Sequence, residues 1–209
     1  MGYKVKIIFD YADGVGYGHL KRCTSLAYAF QKVGIRVYLE PVQPISPNLI
    51  PDEFQTYFDP DVIIIDSHRD VSSIVRSYKS DNKKVIVLDN FMDDSRDVSI
   101  NVFDQESITI GRKFSGFEYL IIRPDVIEEI KGACKGDYVL ITLGGEDIRN
   151  QSHLLGIELK SRNVENLIVL GPRYNSNKVD EIGLNISKSP ENFVKLLSKA
   201  RYVICNAGG

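Results

Sequence analysis

At 209 residues, 43% hydrophobic and 26% charged, the chain has the profile of an ordinary globular protein with room for one large domain or two small ones. A formal net charge of −2, with no block of lysine or arginine, excludes nucleic acid or an anionic membrane surface as the main partner. Cys23, Cys134 and Cys205 are odd in number and far apart, which fits neither a disulfide framework nor a zinc site and suits a reducing, cytoplasmic compartment.

The clearest apolar runs, 62–65 and 85–88, fall far short of the roughly 20 residues of a membrane helix, so no membrane span is expected. Short apolar runs alternate with helical stretches, the pattern of parallel sheets covered on both faces. Residues 3–9 predict a first strand, followed by a glycine-rich loop over 10–18. Apolar residues then recur at Cys23, Leu26, Ala27, Phe30 and Val33, a helical face over 19–33 that Gly34 closes. A second strand is expected at 35–39. Pro41, Pro44, Pro47 and Pro51 break the segment after it, although Val42, Ile45, Leu49 and Ile50 can still pack. Strands at 61–66 and 84–88 flank a helix at 71–79, and shorter strands are expected at 100–102 and 119–122. The first lobe closes near Pro124 and residues 131–133 read as a linker, which gives domains 1–130 and 131–209.

The second α/β unit opens with a strand over 137–143, a turn at Gly144-Gly145 and a helix over 147–160, on which His153 reads as a surface residue. Strands at 167–170 and 184–187, a helix at 191–199 and a strand at 202–205 follow. The sequence then stops at Asn206-Ala207-Gly208-Gly209, directly after a buried-type strand, so the second lobe is expected to be truncated.

The segment richest in chemistry is Asp10-Tyr11-Ala12-Asp13-Gly14-Val15-Gly16-Tyr17-Gly18-His19. It leaves the first strand at its carboxyl end, the side that faces the ligand crevice in doubly wound sheets. Glycines allow close backbone approach, and a helix N-terminus offers free N–H groups to anions. The spacing is G-x-G-x-G, against the G-x-G-x-x-G of dinucleotide folds, and Glu40 is an ambiguous partner for a ribose. His19, in the first turn of the helix, is favoured as neutral imidazole by the helix dipole, the state a general base needs; the plainer alternative is a helix cap. Asp10 and Asp13 are near enough to orient His19 or to meet a sugar hydroxyl, and either can equally be a turn residue. Cys23, on the apolar face, reads as core.

The run Gly16-Tyr17-Gly18-His19-Leu20-Lys21-Arg22, with Leu26-Ala27 and Gly34, resembles the amino-terminal signature of the pseudaminic-acid-pathway UDP-sugar hydrolases. These group with SpsG-like spore coat polysaccharide proteins and with the MurG-type glycosyltransferases of GT-B fold. Further matches come in order: Ile63-Ile64-Ile65-Asp66, Leu88-Asp89, Asn101, Gly116 with Tyr119 and Arg123, then Gly144-Gly145, Asp147 and Asn150. Departures are Ser67-His68 where the hydrolases carry His-Tyr, Asp89-Asn90 for Asp-Asp, and Glu146 for a small residue. His68 either replaces the missing aromatic partner or is a surface residue.

The resemblance implies an α/β, GT-B-like chain of two Rossmann-like lobes facing across a cleft. It implies hydrolysis of a UDP-activated deoxy amino sugar, with His19 as base and Asp10 beside it. Asp13, Gly16, Tyr17, Gly18, Arg22, Asp66, Asp89 and Asn101 would bind substrate. Gly144, Gly145, Asp147, Asn150, Gly208 and Gly209 would bind the nucleotide. A glycosyltransferase using the same base is the alternative, and so is an inactive or split fragment that self-associates or awaits a complementing C-terminal piece. A UDP-sugar is the expected partner; neither a cofactor nor a metal is called for.

Overall fold

In Lys-Val-Lys-Ile-Ile-Phe, successive side chains leave a strand on opposite faces, so Val5, Ile7 and Phe9 share one face and Lys6 and Ile8 the other. The computed structural model, which describes residues 2–11, 18–90, 95–102, 111–133, 136–144, 147, 149–171 and 183–206, buries both faces of this strand, β1 (Lys4–Phe9). On one side Val5, Ile7 and Phe9 pack with Leu20, Cys23 and Ala27 of α1 (Gly18–Lys32). On the other, Ile8 packs with Val71 and with Val75 of α2 (Ser72–Ser80). The chain divides into two compact units, Met1–Arg123 and Pro124–Gly209.

The first unit holds a six-stranded parallel sheet in the order β2-β1-β3-β4-β5-β6. Its other strands are β2 (Arg36–Pro41), β3 (Val62–Asp66), β4 (Lys84–Leu88), β5 (Val98–Asn101) and β6 (Arg112–Ser115). The order runs outward from β1 to β2, then reverses through β3 towards β6. The crossovers β1-α1-β2 and β3-α2-β4 therefore lie on opposite faces, as right-handed connections require. A reversal of this kind opens a crevice at the carboxyl ends of β1 and β3, where ligands bind in doubly wound sheets.

Lys6 is the polar exception on β1. Its buried ammonium reaches Glu40 Oε2 at 2.6 Å, donates to Tyr78 Oη at 2.8 Å, and lies over the rings of Tyr38, Tyr57 and Tyr78. Burial pushes its pKa down, but the bonds to Glu40 and Tyr78 outweigh that and the net shift is upward.

The second unit carries a four-stranded parallel sheet in the order β10-β7-β8-β9. It comprises α3 (Pro124–Lys131), β7 (Val139–Thr142), α4 (Gln151–Ser161), β8 (Asn166–Leu170), β9 (Ile186–Lys188), α5 (Phe193–Lys199) and β10 (Tyr202–Cys205). Ile141, Ile168 and Leu170 form its core, with Leu155 and Leu159 of α4 packed against them. Its strand order also reverses, between β7 and β10.

Several sequence expectations are corrected. No strand forms over 119–122: Phe117–Tyr119 is a 3-10 turn, and the outer strand is β6, where only alternate side chains are half-buried. The stretch 124–131 forms α3, opened by Pro124, whose missing N–H costs nothing at the first turn of a helix. Helix α4 starts at Gln151, because the Asp147 carboxylate caps it from outside. His153 is buried at 1% exposure.

Gly111, before β6, has φ +126°, and an added Cβ would stand 2.6 Å from the Arg96 carbonyl oxygen and 2.7 Å from that of Asp97. Gly111→Ala should therefore cost about 1–3 kcal/mol through backbone strain alone, with the clash adding to it. Urea unfolding of the variant checks this; an unchanged midpoint would contradict the backbone conformation described for residue 111.

Candidate functional site

Asp66 is the last residue of β3 and is fully buried, at 0% exposure. An isolated carboxylate there would be prohibitive, so it must be paired and hydrogen-bonded. Its partners come from α1. Residues 19, 22 and 23 are spaced i, i+3, i+4 and so share one helical face, the face that Leu26, Ala27 and Phe30 continue into the core. His19 Nδ1 lies 2.9 Å from Asp66 Oδ1. Arg22 donates from Nε to Oδ2 at 2.9 Å and from Nη2 to Oδ1. The Cys23 thiol donates to Oδ2 at 3.2 Å. Burial raises the Asp66 pKa, yet the hydrogen bonds from His19 and Arg22 outweigh it and hold the carboxyl at about 2. Asp66 is thus an anion at neutral pH.

An ionised carboxylate can only accept, so the proton of neutral His19 sits on Nδ1 and Nε2 is left with a free lone pair. This is the arrangement in which a buried carboxylate sets the tautomer and angle of an imidazole base. His19 itself is 7% exposed.

Arg22 extends the network to a second acid. Its Nη1 donates to Asp89 Oδ2 at 2.5 Å, while Asp89 Oδ1 accepts from the Val102 amide at 2.8 Å. Asp89 has φ +45°, a left-handed conformation that aspartate tolerates better than most residues but that still costs energy. Both ends of the guanidinium are therefore occupied by protein carboxylates.

Asp10 lies one residue beyond β1 and is 2% exposed. Its amide bonds the Asp66 carbonyl at 3.1 Å, its Oδ2 accepts from Ser67 Oγ at 2.6 Å, and its Oδ1 lies 3.7 Å from Arg69 Nε. Among the described residues the carboxylate on His19 is that of Asp66, 47 positions away. Asp10, near enough in sequence to orient His19, accepts from Ser67 instead, and Asp13 lies outside the described residues.

Asn101 ends β5 fully buried, with Nδ2 directed at Ser99 Oγ. Gly18 opens α1 with open space where a side chain would stand. Asp13, Gly16 and Tyr17 lie outside the described residues, as do Gly145, Gly208 and Gly209. In the second unit Gly144 follows β7 at φ +87°, and a Cβ there would be 3.7 Å from Asn206 Nδ2, the residue after β10. The reversal of the second sheet thus brings the loops after β7 and β10 together. Asn150 sits at φ +51° ahead of α4, and Asp147 receives the amides of Gln151 at 2.9 Å and Ser152 at 2.8 Å. The helix N-terminus expected to meet phosphate is capped by the protein's own carboxylate.

No family model matches the sequence, and no curated protein does. Solved structures match the fold. MurG of Acinetobacter baumannii superposes with a TM-score of 0.55 and 14% identity, over 98% of this chain and 73% of that one. The fold is GT-B-like. UDP-N-acetylglucosamine 2-epimerase from Rickettsia bellii matches with a TM-score of 0.52 and 13% identity, over 99% of this chain and 75% of that one. Among the described residues no helix is long and apolar enough to cross a membrane.

What the sequence missed is the set of partners. Cys23 is core, as read, yet its thiol also bonds Asp66; burial and the neighbouring carboxylate raise its pKa well above the usual thiol value, so it is no nucleophile. The available signal was the presence of His19 and Arg22 on the apolar stripe of α1, which calls for a buried acid opposite.

Proposed function

We propose that the chain processes a nucleotide sugar, hydrolysing a UDP-activated deoxy amino sugar with His19 as general base. The supporting observation is the His19–Asp66–Arg22 network at the carboxyl ends of β1 and β3, where the strand order reverses in a GT-B-like sheet. Asp66 holds His19 with Nε2 free. Nε2 takes a proton from water as the water oxygen bonds the anomeric carbon. The bond from that carbon to the diphosphate breaks, with its electron pair leaving on UDP. Positioned proton transfer of this kind is worth about 10²–10⁴-fold.

Asp10, with one carboxylate oxygen not hydrogen-bonded among the described residues, suits a sugar hydroxyl or amide donor. Asp13, Gly16, Tyr17 and Gly18 belong to the same substrate loop. Gly144, Gly145, Asn150, Gly208 and Gly209 form the nucleotide grip of the second unit. Asp147 shapes that grip as the cap of α4, and Arg22, Asp66 and Asp89 support His19 from below. Free Cys23 and Cys205 suit a cytoplasmic setting.

Calorimetry with UDP and UDP-N-acetylglucosamine, with UDP release assayed in parallel, tests this reading. The wild-type chain should bind and release UDP without any acceptor. His19→Ala should bind with similar affinity and lose on the order of 10²–10⁴-fold in turnover. Absence of binding at millimolar ligand by a cooperatively folded protein would overturn the reading.

A further inference from the structure

The loop after β3 is held more firmly than an exposed turn requires. Asn90, 2% exposed, donates through Nδ2 to the carbonyls of Ser67 at 2.6 Å and Arg69 at 2.8 Å, the two residues flanking His68. Arg96, 1% exposed, donates through Nη1 to the Asn90 carbonyl at 2.7 Å. Ser67 Oγ donates to Asp10 and accepts the Arg69 amide at 3.1 Å. Buried amide and guanidinium groups are costly unless their bonds are made, and here those bonds converge on the two sides of one exposed histidine. The ring of His68 stands edge-on to that of His19, with centroids 4.8 Å apart and planes at 67°.

A base buried as His19 is, with Nδ1 committed to Asp66, must pass on each proton it accepts before it can act again. We propose that His68 is the proton relay between His19 and solvent, a role that rests on His19 being the base. After the carbon–oxygen bond to water has formed, the His19 imidazolium gives its Nε2 proton to a ring nitrogen of neutral His68, directly or through one water. His68 then releases the proton from its other nitrogen to bulk water. Both imidazoles return to neutral and nothing is oxidised or reduced. His68 acts through His19 and need not touch substrate. Its exposure serves the release step, and the Asn90–Arg96 anchor holds the transfer distance.

The test uses His68→Ala in the full chain, a surface change expected to leave thermal unfolding in place. With UDP-N-acetylglucosamine, kcat for UDP release should fall on the order of tenfold or more with KM unchanged. Excess imidazole in the buffer should restore most of it, which no purely structural role would permit. Without substrate, at a pH where His19 is the imidazolium, exchange of its Nε2–H with water, followed by NMR on 15N-histidine-labelled protein, should slow severalfold in the variant. Unchanged exchange overturns the relay whatever the turnover shows, and so does a lowered kcat that imidazole leaves unrestored. Slowed exchange in a chain that releases no UDP keeps the relay and removes the nucleotide-sugar reading.

Discussion

Asp66→Asn should lower UDP release by on the order of 10³–10⁴-fold while leaving nucleotide binding within a few-fold of wild type. The substitution keeps size and shape and removes only the charge. An asparagine amide can turn its NH₂ group towards His19 Nδ1, which then accepts, and the ring proton moves to Nε2. The nitrogen that should take the proton from water is then already protonated. A stability loss accompanies the change, because Arg22 and Cys23 also direct donors at this carboxylate. A buried donor left unsatisfied costs about 1–3 kcal/mol. Turnover and urea unfolding on one preparation separate the two effects. Retention of turnover within threefold of wild type would remove Asp66 from the mechanism.

The largest expected loss of stability is that of Arg22→Met. Arg22 bridges the carboxylates of Asp66 and Asp89, and methionine keeps much of its apolar stem while removing the cation. Breaking a buried pair on one side costs about 3–5 kcal/mol, because the remaining charge stays buried without its partner. This loss should depend on pH. The folded-state pKa of Asp66, about 2, lies below its ordinary value of 3.8, so the stabilisation is present above pH 4 and is lost as pH falls towards 2. That depression corresponds to about 2 kcal/mol. The gap between wild type and Arg22→Met should therefore narrow as the pH is lowered, since protonated Asp66 no longer needs a cation. Urea unfolding of both proteins at pH 7, 4 and 2.5 measures it. A gap that stays constant would show that Arg22 acts through packing alone.

The elements legible from sequence were those whose signal is local. The strands at 62–66, 84–88 and 202–205 and the helix over 18–32 all announce themselves through unbroken apolar runs or a 3.6-residue stripe. β6 did not, because its sequence, Arg-Lys-Phe-Ser, carries no apolar run and its strand identity comes from pairing with β5. Nor did α3, whose proline looked like a boundary and whose eight residues are too few to show a period clearly. The burial of His153 departs from the sequence expectation for a related reason. On α4 the apolar residues Leu154 and Ile157 are exposed while Ser152, His153 and Gly156 are buried, so hydropathy points to the wrong face.

By itself the sequence determined the α/β class, the position of the glycine loop after β1, and His19 at the start of the following helix. Those follow from neighbours in the chain, through strand alternation, glycine freedom and helix dipole. Only the tertiary structure decided which acid serves His19. Parallel pairing of β1 with β3 sets Phe9 beside Asp66, and the right-handed crossover lays α1 over both strands. Asp66 thereby comes within 2.9 Å of an imidazole 47 residues earlier, while Asp10, much nearer in sequence, bonds Ser67 instead. A buried carboxylate is set by whichever donors the fold brings to it, and that assembly exists only once the sheet has formed.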